Sequence, residues 1–244
     1  MLDSVSVSLE QGELVGLLGP NGSGKSTLLR ACARLVPPSS GSVELSGEPV
    51  EQLGSREVAR RLAVLPQAPP VPVGLTVKEL VSHGRHPHRR AWTRTTRADE
   101  DAVVDAIART GLDTLADRDV ATLSGGERQR VWMALVLAQA TPLVLLDEPT
   151  TFLDLGHQWE LLELVAELRR SHGLTVMLVL HDLNQAARFC DRLVVLDGGR
   201  VVRQGVPGEV VTDALLAETF GVECEVLEQD GRPVALPRRA SRSR

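Results

Sequence analysis

Short apolar runs, bounded by turn residues and separated by stretches of helical period, organise both ends of this 244-residue chain. Glu13 to Leu18, Val43 to Leu45 and Leu62 to Leu65 read as short strands. Leu143 to Leu146, Leu174 to Leu180 and Leu193 to Leu196 are uninterrupted apolar runs, the pattern of strands buried on both faces of a parallel sheet. Lys25 to Leu35, Gln158 to Arg170 and Leu183 to Cys190 read as helices. In the second of these, Leu161, Leu164, Val165 and Leu168 form one apolar stripe, with Glu160, Glu163, Glu167 and Arg170 mainly off it.

The middle of the chain differs. From about Thr76 to Ala140 strand signal is scarce, and Val77 to Val81, Asp99 to Thr110 and Glu127 to Gln139 favour helix. The pattern predicts an α/β fold in one domain spanning 1–244. Its core would be about 1–75 and 141–230, a helical subdomain would occupy about 76–140, and a basic tail would run over 231–244. No internal repeat or low-complexity segment is visible, which argues against a solenoid or a linker-joined array.

Between the first strand and the first helix lies GPNGSGKST, formed by Gly19, Pro20, Asn21, Gly22, Ser23, Gly24, Lys25, Ser26 and Thr27. It fits G-x-x-x-x-G-K-[ST] in the strand–loop–helix frame that a P-loop requires. Glycines let successive N–H groups turn inward around phosphate oxygens, and the helix adds its positive end. Lys25 is expected to reach the β- and γ-phosphates of ATP, and the Ser26 hydroxyl to ligate Mg²⁺. The chain holds 27 Lys plus Arg, of which only Lys25 and Lys78 are lysine, so a compact ammonium was kept here against a strong arginine bias.

Leu143 to Pro149 (LVLLDEP) ends an apolar strand in Asp147 and Glu148. One carboxylate at such an edge can hold Mg²⁺ through water, and a second can orient or deprotonate an attacking water. Leu123 to Arg130 (LSGGERQR) carries neither a general base nor a fixed cation in Ser124, Gly125 and Gly126. It reads as a helix N-terminus, with Ser124 as cap and a helix from Glu127 pointing its positive end at an anion.

A P-loop, LSGGE and LLDEP in this order resemble the motifs of ATP-binding cassette (ABC) ATPases, and the resemblance covers nearly the whole chain. It implies a P-loop NTPase core with a mixed, mostly parallel sheet and an inserted helical subdomain. Ser124, Gly125, Gly126 and Glu127 would complete the ATP site of a second copy in a homodimer. Gln67 matches the glutamine that senses Mg²⁺ and the γ-phosphate and links to the membrane partner. Leu153 and Asp154 match the loop that signals between the two sites, and His181 the switch histidine on the γ-phosphate. The implied catalytic set is Glu148, His181 and Gln67, with Mg²⁺ on Ser26, Gln67 and Asp147.

GRHPHR (Gly84 to Arg89), Val131 to Leu155, VLHDLNQAARFCD (Val179 to Asp191) and ETFGVECEVL (Glu218 to Leu227) look like the ATPase subunits of bacterial importers for iron-siderophores, haem and cobalamin. The resemblance therefore implies a peripheral subunit on the cytoplasmic face of the membrane. Its partners would be integral permease subunits and, indirectly, a substrate-binding protein, with iron-siderophore as the first choice of cargo. Two rivals are a soluble ABC ATPase of translation or DNA repair and an exporter subunit. The first would usually bring two cassettes, a coiled-coil insertion or zinc modules, none of which is visible.

Composition narrows the partners. A net charge of −5 argues against a general nucleic-acid binder. Cys32, Cys190 and Cys224 are odd in number and far apart, which suggests a reducing compartment and small core residues. No apolar run approaches the roughly 20 residues of a membrane span. His83 to Arg97 holds His83, His86 and His88, but Pro87 and the neighbouring arginines argue against a metal site. A solvated basic loop is the plainer reading, and the resemblance adds a surface near the permease. Arg238, Arg239, Arg242 and Arg244 are expected in a solvated, frayed terminus. The family normally carries an aromatic residue that stacks on adenine before the P-loop, and none precedes Gly19 here. An in-frame extension of roughly 10 to 30 residues carrying one is the expectation from ordinary strand and connection lengths.

Overall fold

The structure is a computed structural model that describes residues 2–89 and 95–241. Its contacts define two compact units, Met1–Pro37 with Ala166–Arg244, and Pro38–Val165. Along the chain the elements are β1 (Leu14–Leu18), α1 (Lys25–Cys32), β2 (Glu44–Leu45), β3 (Glu48–Pro49), α2 (Ser55–Arg61), β4 (Leu62–Leu65), α3 (Val77–Ser82), α4 (Arg97–Arg109) and α5 (Gly125–Ala138). They continue with β5 (Leu143–Leu146), α6 (Leu155–His172), β6 (Thr175–Val179), α7 (Leu183–Phe189), β7 (Arg192–Asp197), β8 (Arg200–Gly205), α8 (Pro207–Val210), α9 (Asp213–Phe220), β9 (Val222–Gln229) and β10 (Arg232–Ala240).

In the first unit β1 pairs in parallel with β6 and with β7, while β8 runs antiparallel to β7. This is the mixed, mostly parallel arrangement. Every residue of β1 and of β6 is buried, as their apolar runs require. Gly16 lies at the centre of β1 because a Cβ there would meet the Cys190 Sγ at 2.8 Å and the Leu193 Cδ2 at 2.9 Å. Cys190 thus fills the space that glycine leaves, and burial pushes its thiol far above the ordinary range. The start of β1 is pinned by charge. Arg192 pairs with Glu13 at 2.7 Å, and Arg169 donates to the Gly12 carbonyl at 2.8 Å while pairing with Asp191 at 2.9 Å.

Two expectations change here. α1 stops at Cys32 rather than Leu35, because Arg34 takes a left-handed turn (φ 58°) and the N–H groups of Leu35 and Val36 fold back onto the Arg30 carbonyl. The basic tail is not frayed over its described part. β9 and β10 form an antiparallel hairpin around Asp230 and Gly231, both at positive φ, the geometry of a tight Asp-Gly turn. Across it Arg238 pairs with Glu225 at 2.7 Å and Arg239 with Glu223 at 2.8 Å. Asn184 of α7 holds the hairpin by donating to the Ala235 carbonyl and accepting from its N–H, at 3.1 and 2.8 Å. Arg242 and Arg244 lie outside the described residues.

In the second unit β4 and β5 pair in parallel with Leu62 opposite Leu143, and β2 and β3 make a short hairpin. Helices α3, α4 and α5 share one apolar core, built from Val77, Leu80 and Val81, from Val103, Ala106 and Ile107, and from Val131, Ala134 and Ala138. Each of the three begins with a reciprocal cap: Thr76 with Glu79, Thr96 with Asp99, and Ser124 with Glu127. These caps fix the starts, and α5 accordingly begins at Gly125, two residues ahead of the start read from sequence.

Over its described part the basic loop after α3 is exposed at His83 and His86, as expected, but not at Arg85. Arg85 is buried, pairs with Asp99 at 3.0 Å and donates to the Ala138 carbonyl at 2.8 Å. The His88 ring contacts the Gln139 carbonyl at 2.7 Å, and Arg60 donates to the Pro87 carbonyl. The segment instead ties α3 to α4 and α5; residues 90–94 lie outside the described chain. Hydrogen bonds from Thr96, then the Arg85 guanidinium, hold the Asp99 carboxyl down at about 2. Because this lies below the usual aspartate value, the stabilisation is complete above about pH 4 and is lost as pH falls toward 2. Arg85→Leu, which leaves a buried carboxylate without its partner, is expected to cost about 3 kcal/mol in urea unfolding at pH 7. The gap between the native protein and Asp99→Asn should narrow between pH 4 and pH 2.

Candidate functional site

Each unit carries candidate residues at the carboxyl ends of paired parallel strands, and the second carries others at the starts of α5 and α6. In the first, Leu17 of β1 stands opposite Val179 of β6, and the Leu180 N–H donates to the Leu17 carbonyl at 3.2 Å. The P-loop after β1 and His181 after β6 therefore leave the same sheet edge, where ligands of open α/β sheets gather. His181 is exposed, and the next residue, Asp182, caps α7 by accepting from the Gln185 N–H at 2.8 Å.

The P-loop closes around its lysine. Lys25 is 5% exposed, and its ammonium donates to the Gly19 carbonyl at 2.7 Å and the Pro20 carbonyl at 3.0 Å. Gly19 is required sterically as well as by its φ of 143°, since a Cβ there would come within 2.0 Å of the Leu196 carbonyl oxygen. Gly22 and Gly24 also have positive φ, and the space where a Gly22 Cβ would project is open. Gly24 precedes α1, with Lys25, Ser26 and Thr27 forming its first turn. Ser23 is buried within the loop, and its hydroxyl has no hydrogen-bond partner there. A cation, an unpartnered hydroxyl and an open glycine face at a helix N-terminus fit a polyphosphate chain. Asn21, Gly22 and Thr27 are exposed at the loop's surface.

In the second unit Leu65 of β4 stands opposite Leu146 of β5, and the Asp147 N–H donates to the Leu65 carbonyl at 2.9 Å. That brings Gln67 beside the two acids. The Gln67 amide donates to Glu148 Oε2, and the Thr151 hydroxyl donates to the same oxygen at 3.2 Å. Asp147 is 2% exposed, whereas Glu148 is half-buried. Glu148 also sits at φ 52°, a left-handed conformation that costs an ordinary residue about 1 to 2 kcal/mol. Nothing in DEP announces this turn. It takes the chain out of β5 so that consecutive acids occupy different surroundings, one buried and one at the rim.

Ser124, Gly125, Gly126 and Glu127 form the first turn of α5. The Ser124 oxygen accepts from the Glu127 N–H at 3.3 Å, and Glu127 Oε2 accepts from the Ser124 N–H at 2.8 Å. Hydrogen bonding to Ser124 holds the Glu127 carboxyl below its ordinary value. Asp154 lies at the start of α6, where its carboxylate accepts from the His157 N–H at 3.0 Å and meets the His157 ring at 2.8 Å. Those bonds, the backbone one first, lower its pKa. Sequence reasoning missed His157 and Thr151; their signal was spacing, three residues beyond Asp154 and Glu148 respectively. Among the described residues no cluster of three or more His, Cys, Asp or Glu could hold a metal ion. The Ser26 hydroxyl in the first unit and the Gln67 amide and Asp147 carboxylate oxygens in the second are each hard donors of the kind Mg²⁺ takes.

A family model described as ABC transporter matches residues 2–151. The ferric enterobactin transport ATP-binding protein of Escherichia coli (strain K12) is 47% identical over 237 residues, covering 96% of this chain and 88% of that protein. The achromobactin transport ATP-binding protein of Dickeya dadantii (strain 3937) is 48% identical over 227 residues, covering 93% and 84%. Among solved structures, a metal-chelate type ABC transporter in an inward-facing conformation matches with a TM-score of 0.82 at 26% identity, covering 95% of this chain and 90% of that one. A dimeric bacterial ABC transporter cassette matches at 0.73 and 29%, covering 84% and 90%.

Proposed function

We propose that this chain, which belongs to the ABC transporter ATPase family, is the ATP-hydrolysing subunit of an importer whose cargo is an iron-siderophore. The observation that carries the cargo class is the identity of 47 and 48% to subunits named for ferric enterobactin and achromobactin transport. The chain would act as a homodimer on the cytoplasmic face of the membrane, bound to integral permease subunits that receive cargo from a substrate-binding protein. In support of a peripheral place, no helix among the described residues is long and apolar enough to cross a membrane.

In this reading Gly19 to Thr27 hold the phosphates of ATP, and Ser124, Gly125 and Gly126 of a second copy, with Glu127 at their turn, close over them. Asp154 signals between the two copies. Glu148 accepts the proton of a water whose oxygen attacks the γ-phosphorus, the bond to the β-γ bridging oxygen breaks, and ADP and phosphate leave. Gln67 and Thr151 hold the carboxylate by bonding its Oε2, which supports an oriented base. His181 contacts the γ-phosphate, and Lys25 exchanges carbonyl partners for phosphate oxygens. Mg²⁺ on Ser26, Gln67 and Asp147 would supply neutralisation of the charge that develops on those oxygens. The helical subdomain of about 76–140 and the core of about 1–75 and 141–230 would be the parts that move against each other during closure.

Glu148→Gln is expected to bind ATP, to accumulate as an ATP-dependent dimer on size-exclusion chromatography, and to lose about two to four orders of magnitude in turnover. Hydrolysis near the native rate would place the base elsewhere. Mixing Lys25→Ala with Ser124→Arg protein should restore part of the activity, since each heterodimer then holds one intact composite site. A mixture shown to heterodimerise yet as inactive as its parents argues against action in trans. For the cargo, a deletion strain should lose uptake of radiolabelled ferric siderophore and recover it with the native gene; unchanged uptake overturns that assignment.

A further inference from the structure

The two glycines that follow Ser124 are not equivalent. A Cβ at Gly125 would meet nothing within 4 Å, whereas one at Gly126 would lie 2.8 Å from Cδ2, 3.0 Å from Cγ and 3.2 Å from Nε2 of His157. Neither has a positive φ, so backbone strain does not explain the second glycine. The imidazole edge occupies the place that any side chain at 126 would need. The opposite edge of that ring is held by Asp154, whose Oδ1 lies 2.8 Å from Nδ1 and accepts from the His157 N–H as well. With a carboxylate as acceptor, Nδ1 carries the proton. A cavity of about 20 Å³ beside the ring is lined by Gly126, Arg130, Leu153, His157, Leu161 and Leu164, so α5 and the start of α6 meet around this histidine.

From this geometry we infer that His157 is a positioning residue that couples the loop carrying Asp154 to the first turn of α5, and that its ring is the reason position 126 is glycine. The inference rests on the proposed role of Ser124 to Gly126 at the ATP site of a second copy. A shift of Asp154 is passed through the imidazole to the backbone of Gly126, and a shift of that turn is passed back. His157 acts through these two residues and supplies no proton to the reaction. The bar is short and stiff, with two torsions in the histidine and none in the glycine, so displacement at one end is not absorbed in the middle.

The test uses the full chain in two backgrounds. In Glu148→Gln protein, dimerisation is titrated with Mg-ATP; in the native background, kcat and KM for ATP are measured for His157→Ala, Gly126→Ala and the double variant. His157→Ala should raise the ATP needed for half-dimerisation, and lower kcat, by about tenfold, with KM for ATP within about threefold. Gly126→Ala should displace the ring and lose a similar amount. The double variant, in which the new methyl has room, should retain at least about threefold more activity than the product of the two single residual activities. Urea midpoints at pH 7 separate this from a role in folding alone, which would lower the midpoint and leave kcat of the folded protein unchanged. His157→Asn, which keeps a donor for Asp154 but no ring over Gly126, should tolerate Gly126→Ala as the alanine variant does. If Glu148→Gln itself fails to dimerise with ATP, the reading of Ser124 to Gly126 in trans falls. If it dimerises and His157→Ala matches it, or if the double variant is simply multiplicative, the coupling role of His157 is overturned.

Discussion

Parallel pairing between fully apolar strands constrains everything else in this molecule. A strand such as β1 or β6 has no face on which a charge can sit, so its chemistry must wait until the chain leaves the sheet, and parallel neighbours leave at the same edge. Register then decides which groups arrive together. Leu17 opposite Val179 sets the P-loop level with His181, and Leu65 opposite Leu146 sets Gln67 level with Asp147 and Glu148. A slip of one residue in β5 would turn Leu145 where Leu146 stands and carry both acids away from the glutamine. The hydrogen bond from Gln67 to Glu148 is thus a consequence of strand pairing two residues away.

Charge at these edges is tolerated because each charged group is given partners by the turn that releases it. The Lys25 ammonium is nearly inaccessible and has the Gly19 and Pro20 carbonyls against it, so the loop supplies its own lysine with acceptors. Unpaired burial of such a cation would cost several kcal/mol. Glu148 follows the opposite course. Its left-handed backbone turns the chain at once, keeping the side chain at the rim with Gln67 and Thr151 while Asp147 stays inside. Strain at a residue of this type persists only where the surroundings over-determine it, and here the strand on one side and Pro149 on the other do so.

How far the sequence reveals this depends on whether a feature is local. Apolar runs such as LVLL, and the glycine pattern of the P-loop, report on their own residues, and the strands and helices they predict are present with ends shifted by at most three residues. α2, β8, β9 and β10 were not legible in the same way. β8 and the hairpin are half-exposed and mix Arg, Glu and Gln with Val, so an apolar run is missing, and the Asp-Gly turn at 230 and 231 was the signal available. Arg85 misleads for another reason. Its neighbours are basic and it reads as part of a wet loop, yet its partner Asp99 lies fourteen residues on and caps a different helix. The contact between His157 and Gly126 is equally invisible, because glycine announces freedom of the backbone and only the fold shows that the space beside it is taken.

Glu127 illustrates how a helix end can carry an acid and still be suited to an anion. A free carboxylate in the first turn of α5 would repel the phosphate that the N–H groups there are proposed to receive. The cap changes this: Oε2 takes the Ser124 N–H at 2.8 Å, and hydrogen bonding to Ser124 lowers the carboxyl's pKa. Its negative charge is matched by backbone dipoles on the Ser124 side of the turn. A neutral amide at 127 could make the same bond with less repulsion, but it would hold Ser124 less firmly because charge-assisted bonds are about twice as strong. The carboxylate therefore favours a rigid turn over a more positive one, which is the useful choice where Gly126 must stay against the His157 ring.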